Sequence, residues 1–251
     1  QLALAVHLVR QKSWDFAIPI LEQAEILSAN ATQRDEVRVN LYASLKETGR
    51  LPALMEQLEK RVTADSKDED ALRGLLLGHQ RFTGAIARAD EVLQKLVALS
   101  PEDPLYSAAG VDIARQKGDQ EALITHFEKL LSLDPRTAAD LLDPYLNALQ
   151  LKGQLNRGLE EILKVTGDPS VRVALFARTA LGLGALQKRQ EIDPFVLPLT
   201  VSAQESKRPQ DYLVAVTSLR RLGKTKEAWE LSEESLRIPM DLAIRGALLL
   251  E

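Results

Sequence analysis

The chain has 251 residues, of which 45% are hydrophobic, 27% charged and only 4% aromatic, with a formal charge of −4. That balance describes a globular chain and excludes a general binder of nucleic acid or of anionic membrane, either of which needs a basic field. Cysteine is absent, which removes disulfides and thiolate metal sites, and the longest apolar candidate for a membrane span, Val173 to Leu186, is interrupted by Arg178.

In chain order, the first expected element is a helix already under way at Leu2, Leu4, Ala5 and Leu8, without an initial methionine or signal pattern. A second helix is expected from about Ser13, read as its cap, to Leu27. Ser28 to Gln33 reads as a polar loop, and the next helix is placed at roughly Asp35 to Glu47, closed by a turn over Thr48 to Arg50. The charged run from Asp65 to Asp70 reads as a connector beside a helix N-terminus, where carboxylates favour the helix dipole, with an acidic docking site as the alternative. Ala71 to Phe82 forms the following helix, and Gly74 and Gly78 lie four apart on one of its faces. Each costs about 1 kcal/mol against alanine in a helix interior. Their presence implies a close approach, by a neighbouring helix or by a bound peptide.

Asp103-Pro104 opens a helix with an acidic cap and a proline in the first position. Asp143-Pro144 either starts a shortened helix or kinks one begun near Thr137. Between Gln190 and Thr200 an irregular joint is expected, with Lys188 where a turn glycine belongs and Pro198 bending its helix. Pro209 to Leu236 restores a regular pair, and Met240 to Glu251 starts a helix without a partner, so the chain reads as a piece cut from a longer array or multidomain protein.

One skeleton recurs through these elements. Gly84, Ala89, Leu93, Leu96 and Pro101 are matched by Gly118, Leu123, Phe127, Leu130 and Pro135, with glycines and prolines each 34 apart. Gly153, Gly158, Ile162 and Val165 form another copy, and Gly223 with Ala228 falls 70 residues, two periods, beyond Gly153. Backwards, Gly49, Leu54 and Leu58 precede Gly84 by 35, and Lys12, Ala17, Leu21 and Ala24 stand another 37 earlier. Apolar positions three and four apart share one helical face, so each copy reads as turn, amphipathic helix and stop.

This pattern resembles the tetratricopeptide repeat, a helix–turn–helix unit of about 34 residues. HEAT-type arrays, with periods of about 40 to 47, fit the spacing less well. Trp14 and Trp229 fall in second helices, whereas the family carries its tryptophan in the first. The resemblance implies an all-α, right-handed superhelical solenoid of about seven antiparallel helix pairs plus a terminal extra helix. It would form a single repeat domain over 1–251, with approximate copies 1–31, 35–68, 70–103, 104–137, 139–171, 172–206, 209–240 and a partial 241–251.

Reaction chemistry is not legible. His7, His79 and His126 sit in separate copies, without the spacing that puts two imidazoles on one helical face. Gly182-Leu183-Gly184 lacks the third glycine and the strand of a dinucleotide loop, and Glu160-Glu161 and Glu233-Glu234 are splayed around their helices. No catalytic residue, cofactor or metal is therefore expected.

The resemblance implies binding of protein or peptide, without nucleic acid or membrane insertion, in a soluble setting, cytoplasmic ahead of periplasmic. Three residues before each turn position come Lys46, Arg81, Arg115, Gln150, Ala185 and Arg220. In the family this end of the first helix borders a concave groove, so the basic members would form a strip for an acidic partner segment, although helix ends favour such residues on their own. Gly74, Gly78 and Ala108 complete the expected groove, with Asn40 and Asn147 as amides able to read a peptide backbone. The family's Lys and Asn clamp for a terminal carboxylate is not matched, because Val39, Ala43, Gly74, Gly78, Ala108 and Asp112 occupy those faces. Two other readings stay open: a substrate-recruiting arm of a larger enzyme such as a glycosyltransferase, kinase or protease, and a homo-oligomeric assembly module.

Overall fold

Local rules account for the hairpins before any packing is considered. The computed structural model describes residues 2–250, with side-chain surroundings up to residue 248; residues 1 and 251, the outer ends of the expected array, lie outside them. Sixteen α-helices form seven successive pairs and one last helix. They are α1 (Leu2–Arg10) with α2 (Trp14–Ile26), α3 (Ala31–Glu47) with α4 (Leu51–Ala64), α5 (Glu69–Leu77) with α6 (Ile86–Leu99), and α7 (Pro104–Lys117) with α8 (Gln120–Leu133). In the fifth pair α9 (Pro135–Asp140) and α10 (Leu142–Lys152) precede α11 (Leu155–Leu163); then come α12 (Pro169–Ala185) with α13 (Asp193–Ser206), α14 (Pro209–Arg221) with α15 (Thr225–Ser235), and α16 (Leu242–Leu250).

The turn between the members of a pair is nearly the same each time. At Gly49, Gly118, Gly153 and Gly223 the backbone enters the left-handed region, with φ between +66° and +74°. The next residue's N–H then returns to a carbonyl five back, as from Asp119 to Ala114 at 2.9 Å and from Lys224 to Leu219 at 2.9 Å. This Schellman arrangement satisfies carbonyls that the helix end leaves open, and glycine adopts it without a Cβ penalty. Lys12 and Gln187 adopt it with φ of 59° each, and Lys188 donates to Leu183. The left-handed residue of the sixth copy is thus Gln187, one before the expected Lys188. Gln187→Gly is expected to raise stability by about 1 kcal/mol, seen as a higher urea midpoint, because the side chain's left-handed strain disappears.

Several boundaries differ from expectation for visible reasons. α3 begins at Ala31 rather than near Asp35, because Asn30 Oδ1 accepts from the Gln33 N–H while Gln33 Oε1 accepts from the Ala29 N–H, a reciprocal cap. Ser13 makes no side-chain cap. Asp134 caps α9 through the N–H groups of Arg136 and Thr137. The helix then breaks at Leu141, leaving Pro144 in the first turn of α10, where its missing N–H has no partner to lose. α13 continues unbroken through Pro198, and the irregularity instead precedes it as a 3₁₀ turn at Arg189–Glu191. A π-helical turn, Gly78–Thr83, extends α5. From Glu69 to Gly84 is 15 residues, against 14 from Pro104 to Gly118, and the wide turn takes up the extra residue.

The chain divides into two compact units between Ala109 and Gly110. In the first, α1, α3 and α5 pack in a row with α2, α4 and α6 against them. The core between them holds Leu41, Tyr42, Leu58, Leu72, Leu75, Leu93 and Leu96. In the second, α8 packs on α9 and α10, α12 on α13 and α14, and α14 on α15 and α16. Phe127 and Tyr145 stack there at 4.0 Å between centroids, both fully buried.

Candidate functional site

In the first unit the short turns make α4 run back along α3 and α5 back along α4, so α3, α5 and the start of α7 run the same way. The sequence of α5 gives it two apolar faces. Leu72 and Leu75 enter the core, but Leu75, Leu76 and Leu77 are consecutive and cannot share one side of a helix. Leu77 turns to the opposite face, and with Leu76 at the edge of the core it borders a cleft of about 280 Å³. Asp35, Glu36 and Val39 of α3 form one wall, Leu105, Tyr106 and Ala109 of α7 the other, and Arg73, Gln80 and Arg81 complete the centre. Leu105 remains 42% exposed.

The charges around the cleft are mostly committed. Arg73 donates to Asp35 Oδ2 through Nε at 3.1 Å and through Nη2, lies 3.7 Å from Asp103, and stands 5.9 Å over the Tyr106 ring. The Tyr106 hydroxyl donates to Glu69; burial first, and this carboxylate second, raise its pKa. Beneath, Arg38 is 2% exposed and donates to Glu25 at 2.6 Å, to Asp70 Oδ1 at 2.8 Å and to the Asp70 carbonyl at 3.1 Å. Burial alone would raise the Asp70 pKa, but hydrogen bonds from Arg34 and the charge and hydrogen bonds of Arg38 and Arg61 outweigh it and hold the carboxyl below its usual range. Asp68 caps α5 through the Ala71 N–H and pairs with Arg61. The acidic connector is therefore a helix cap and an ion-pair node joining three helices.

Arg81 is different. It is exposed, lines the cleft, and has no ion-pair partner among the described residues. Gln80 beside it makes no side-chain hydrogen bond among them either. The Glu36 carboxylate is likewise free, but it lies 13 residues before its turn glycine and Arg81 only three before its own, which places them toward opposite ends of the helices.

Of the residues expected from sequence to form a groove, Arg81 is the one that lines this cleft. Gly74 and Gly78 face α4 and the Tyr42 side chain of α3. A Cβ at Gly74 would stand 2.8 Å from the Tyr42 hydroxyl and 3.0 Å from Leu58, and one at Gly78 2.4 Å from the Met55 sulfur. The close approach they imply is made by neighbouring helices. Asn40 and Asn147 donate to carbonyls of their own helices, those of Glu36 and Asp143. Ala108 is half-buried next to the lining residue Ala109, Lys46 is exposed, Arg115 pairs with Asp112 at 3.3 Å, and Arg220 donates to the Leu248 carbonyl of α16. The Leu75–Leu77 run was the sequence signal for a second apolar face on α5.

His79 is buried under the α4 and α6 side of the π turn, with burial lowering its pKa, and His126 packs over Gly110. Among the described residues no three His, Cys, Asp or Glu side chains are grouped to hold a metal, and no helix is long and apolar enough to cross a membrane.

Fold and cleft together define a class: an all-helical repeat protein built from hairpins of tetratricopeptide length, with one apolar cleft on the first helices of its first unit. No protein-family model and no curated protein matches the chain. Among solved structures it is similar to the APC/C hetero-tetramer Cut9-Hcn1, at 13% identity and a TM-score of 0.42 over 94% of this chain and 46% of that one. It is also similar to a monomeric mutant of IFIT1 with Gppp-AAAA, at 15% identity and a TM-score of 0.36 over 94% of this chain and 59% of that one. The chain thus spans about half the length of the structures it matches.

Proposed function

We propose that the chain is a non-catalytic protein-interaction module, and that the cleft across α3, α5 and α7 receives an extended segment of a partner protein. The observation that carries this reading is Leu105, 42% exposed beside Leu76, Leu77 and Val39 on three consecutive first helices. The aliphatic side chains that line this cleft of about 280 Å³ suit one or two aliphatic side chains of a peptide. Asp35, Arg73 and Tyr106 are tied up in ion pairs and hydrogen bonds, which suits a rigid wall better than proton transfer. A net charge of −4 favours a protein partner over a polyanion.

The test is a selection of random twelve-residue peptides displayed on phage against the whole chain. Enriched peptides are expected to lose at least about tenfold in affinity for a Leu77→Glu, Leu105→Glu protein, since a buried apolar contact of this size is worth one to a few kcal/mol. Both positions are at least partly open to solvent, so the far-ultraviolet circular dichroism should be unchanged. Enriched peptides that bind the variant as tightly as the parent would contradict the reading.

A further inference from the structure

We infer that the partner segment carries an aliphatic side chain and a carboxylate two residues apart, the aliphatic group seated against Leu77 and the carboxylate held by Arg81. This rests on the reading of the cleft as a docking site and specifies what docks. The charge argument is local. Arg73 is neutralised by Asp35 and Asp103, Arg38 by Glu25 and Asp70, and Arg34 and Arg61 also hold Asp70. Arg81 is the cation of the cleft that no described side chain balances. Glu36 also lines the cleft, but it stands ten residues further from its turn glycine than Arg81 does from its own, toward the other end of the helices. An anion beside Leu77 therefore meets Arg81 without strong opposition.

Geometry sets the spacing. Leu77 and Arg81 are four residues apart across the π turn, which is wider and rises less per residue than an α-helix, so they are at most about 6 Å apart along the axis. An extended peptide advances about 3.3 Å per residue and returns to the same face every second residue. A side chain and its neighbour two positions on thus match the distance from Leu77 to Arg81. Gln80 stands between, its amide free to bond the intervening peptide group. The π turn makes this possible, since it carries Gln80 and Arg81 at the end of the helix that bears Leu76 and Leu77. A guanidinium fork binds carboxylate in a bidentate manner, which gives orientation as well as attraction.

The test uses blocked Gly/Ser nonapeptides containing Leu-Ser-Glu or Glu-Ser-Leu, the same two with lysine for glutamate, and one with Ala-Ser-Glu. Each is titrated into the ¹⁵N-labelled chain while the amide resonances of Leu77, Gln80, Arg81 and Leu105 are followed. One of the two leucine–glutamate peptides is expected to bind about fivefold tighter than its lysine counterpart, the size of a partly exposed ion pair gained against a repulsion. Arg81→Glu should reverse that order, and Arg81→Ala should abolish it. Retention of the glutamate preference in Arg81→Glu would overturn the role of Arg81 while leaving the cleft as a docking site. Equal shifts from the alanine and leucine peptides, or no shift at these resonances with any peptide, would overturn both the inference and the docking reading beneath it.

Discussion

Phe127→Ala is expected to destabilise the second unit by about 4 kcal/mol, the middle of the range for deleting a buried phenylalanine. Phe127 is fully buried on α8 and stacks on Tyr145 of α10, centroids 4.0 Å apart and planes 13° from parallel. The stack adds about 1 kcal/mol to the area it buries. Collapse of the cavity is opposed by its surroundings, since Leu123, Leu130, Leu146 and Leu149 are all within 2% of complete burial. With a denaturant slope near 1.5 kcal/mol per molar, the urea midpoint should fall by about 2 to 3 M. Unfolding is followed by far-ultraviolet circular dichroism, because Trp229 of α15 is 62% exposed in the folded chain. Tyr145→Phe serves as the contrast. It keeps the ring and loses only the hydroxyl that donates to Glu128 at 3.2 Å, a change of about 1 kcal/mol.

Arg38→Met is expected to cost the first unit about 3 kcal/mol, read from Trp14 in a Trp229→Phe background. Breaking a buried ion pair on one side typically costs about 3 to 5 kcal/mol, and the lower end applies because Glu25 and Asp70 keep 23% and 32% of their side-chain surface in water. Methionine fills the space of the arginine stem, so the loss reports the charge network more than a cavity. The network also sets a pH dependence. Asp70 has a folded pKa below its unfolded value of about 3.8, so it contributes stability that is fully present above that value. The contribution is lost as pH falls through the folded pKa. The stability of the first unit should therefore decline below about pH 4, and the decline should be shallower in Arg38→Met, where Asp70 has lost a partner. An unchanged acid limb in the variant would remove Asp70 from the account.

The hairpins were legible because their turns demand a backbone that glycine supplies most cheaply, and Gly49, Gly84, Gly118, Gly153 and Gly223 mark them at nearly constant spacing. The spacing carried through Lys12, where the same turn forms at the cost of left-handed strain in a longer side chain, and missed Gln187 by one residue. What was not legible depended on contacts distant in sequence. Gly74 and Gly78 signal a close approach, but only the fold assigns it to Tyr42, Leu58 and Met55, between 16 and 36 residues away. Asn30 and Gln33 belong to a capping pair that can be read from sequence, hidden here within a polar stretch that resembles a loop. The basic ladder had a sound local origin, helix-end preference, yet its members meet different fates: Arg220 reaches a carbonyl of α16, Arg115 pairs within its own helix, and Arg81 alone lines the cleft.

The cleft itself was missed because a core-facing stripe and a ligand-facing stripe have the same helical period. Leu77, half-buried beside the buried Leu76, extends the apolar surface of α5 toward the cleft.

The central claim is that partner segments bind across the first helices of the first unit. The most direct measurement is photo-cross-linking of a selected peptide, carrying a diazirine in place of its aliphatic side chain, followed by mapping of the modified residues by mass spectrometry. Cross-links confined to α3 near Val39, α5 near Leu77 and α7 near Leu105 are the expected result. Cross-links concentrated on α4 and α6, or in the second unit, would contradict the claim.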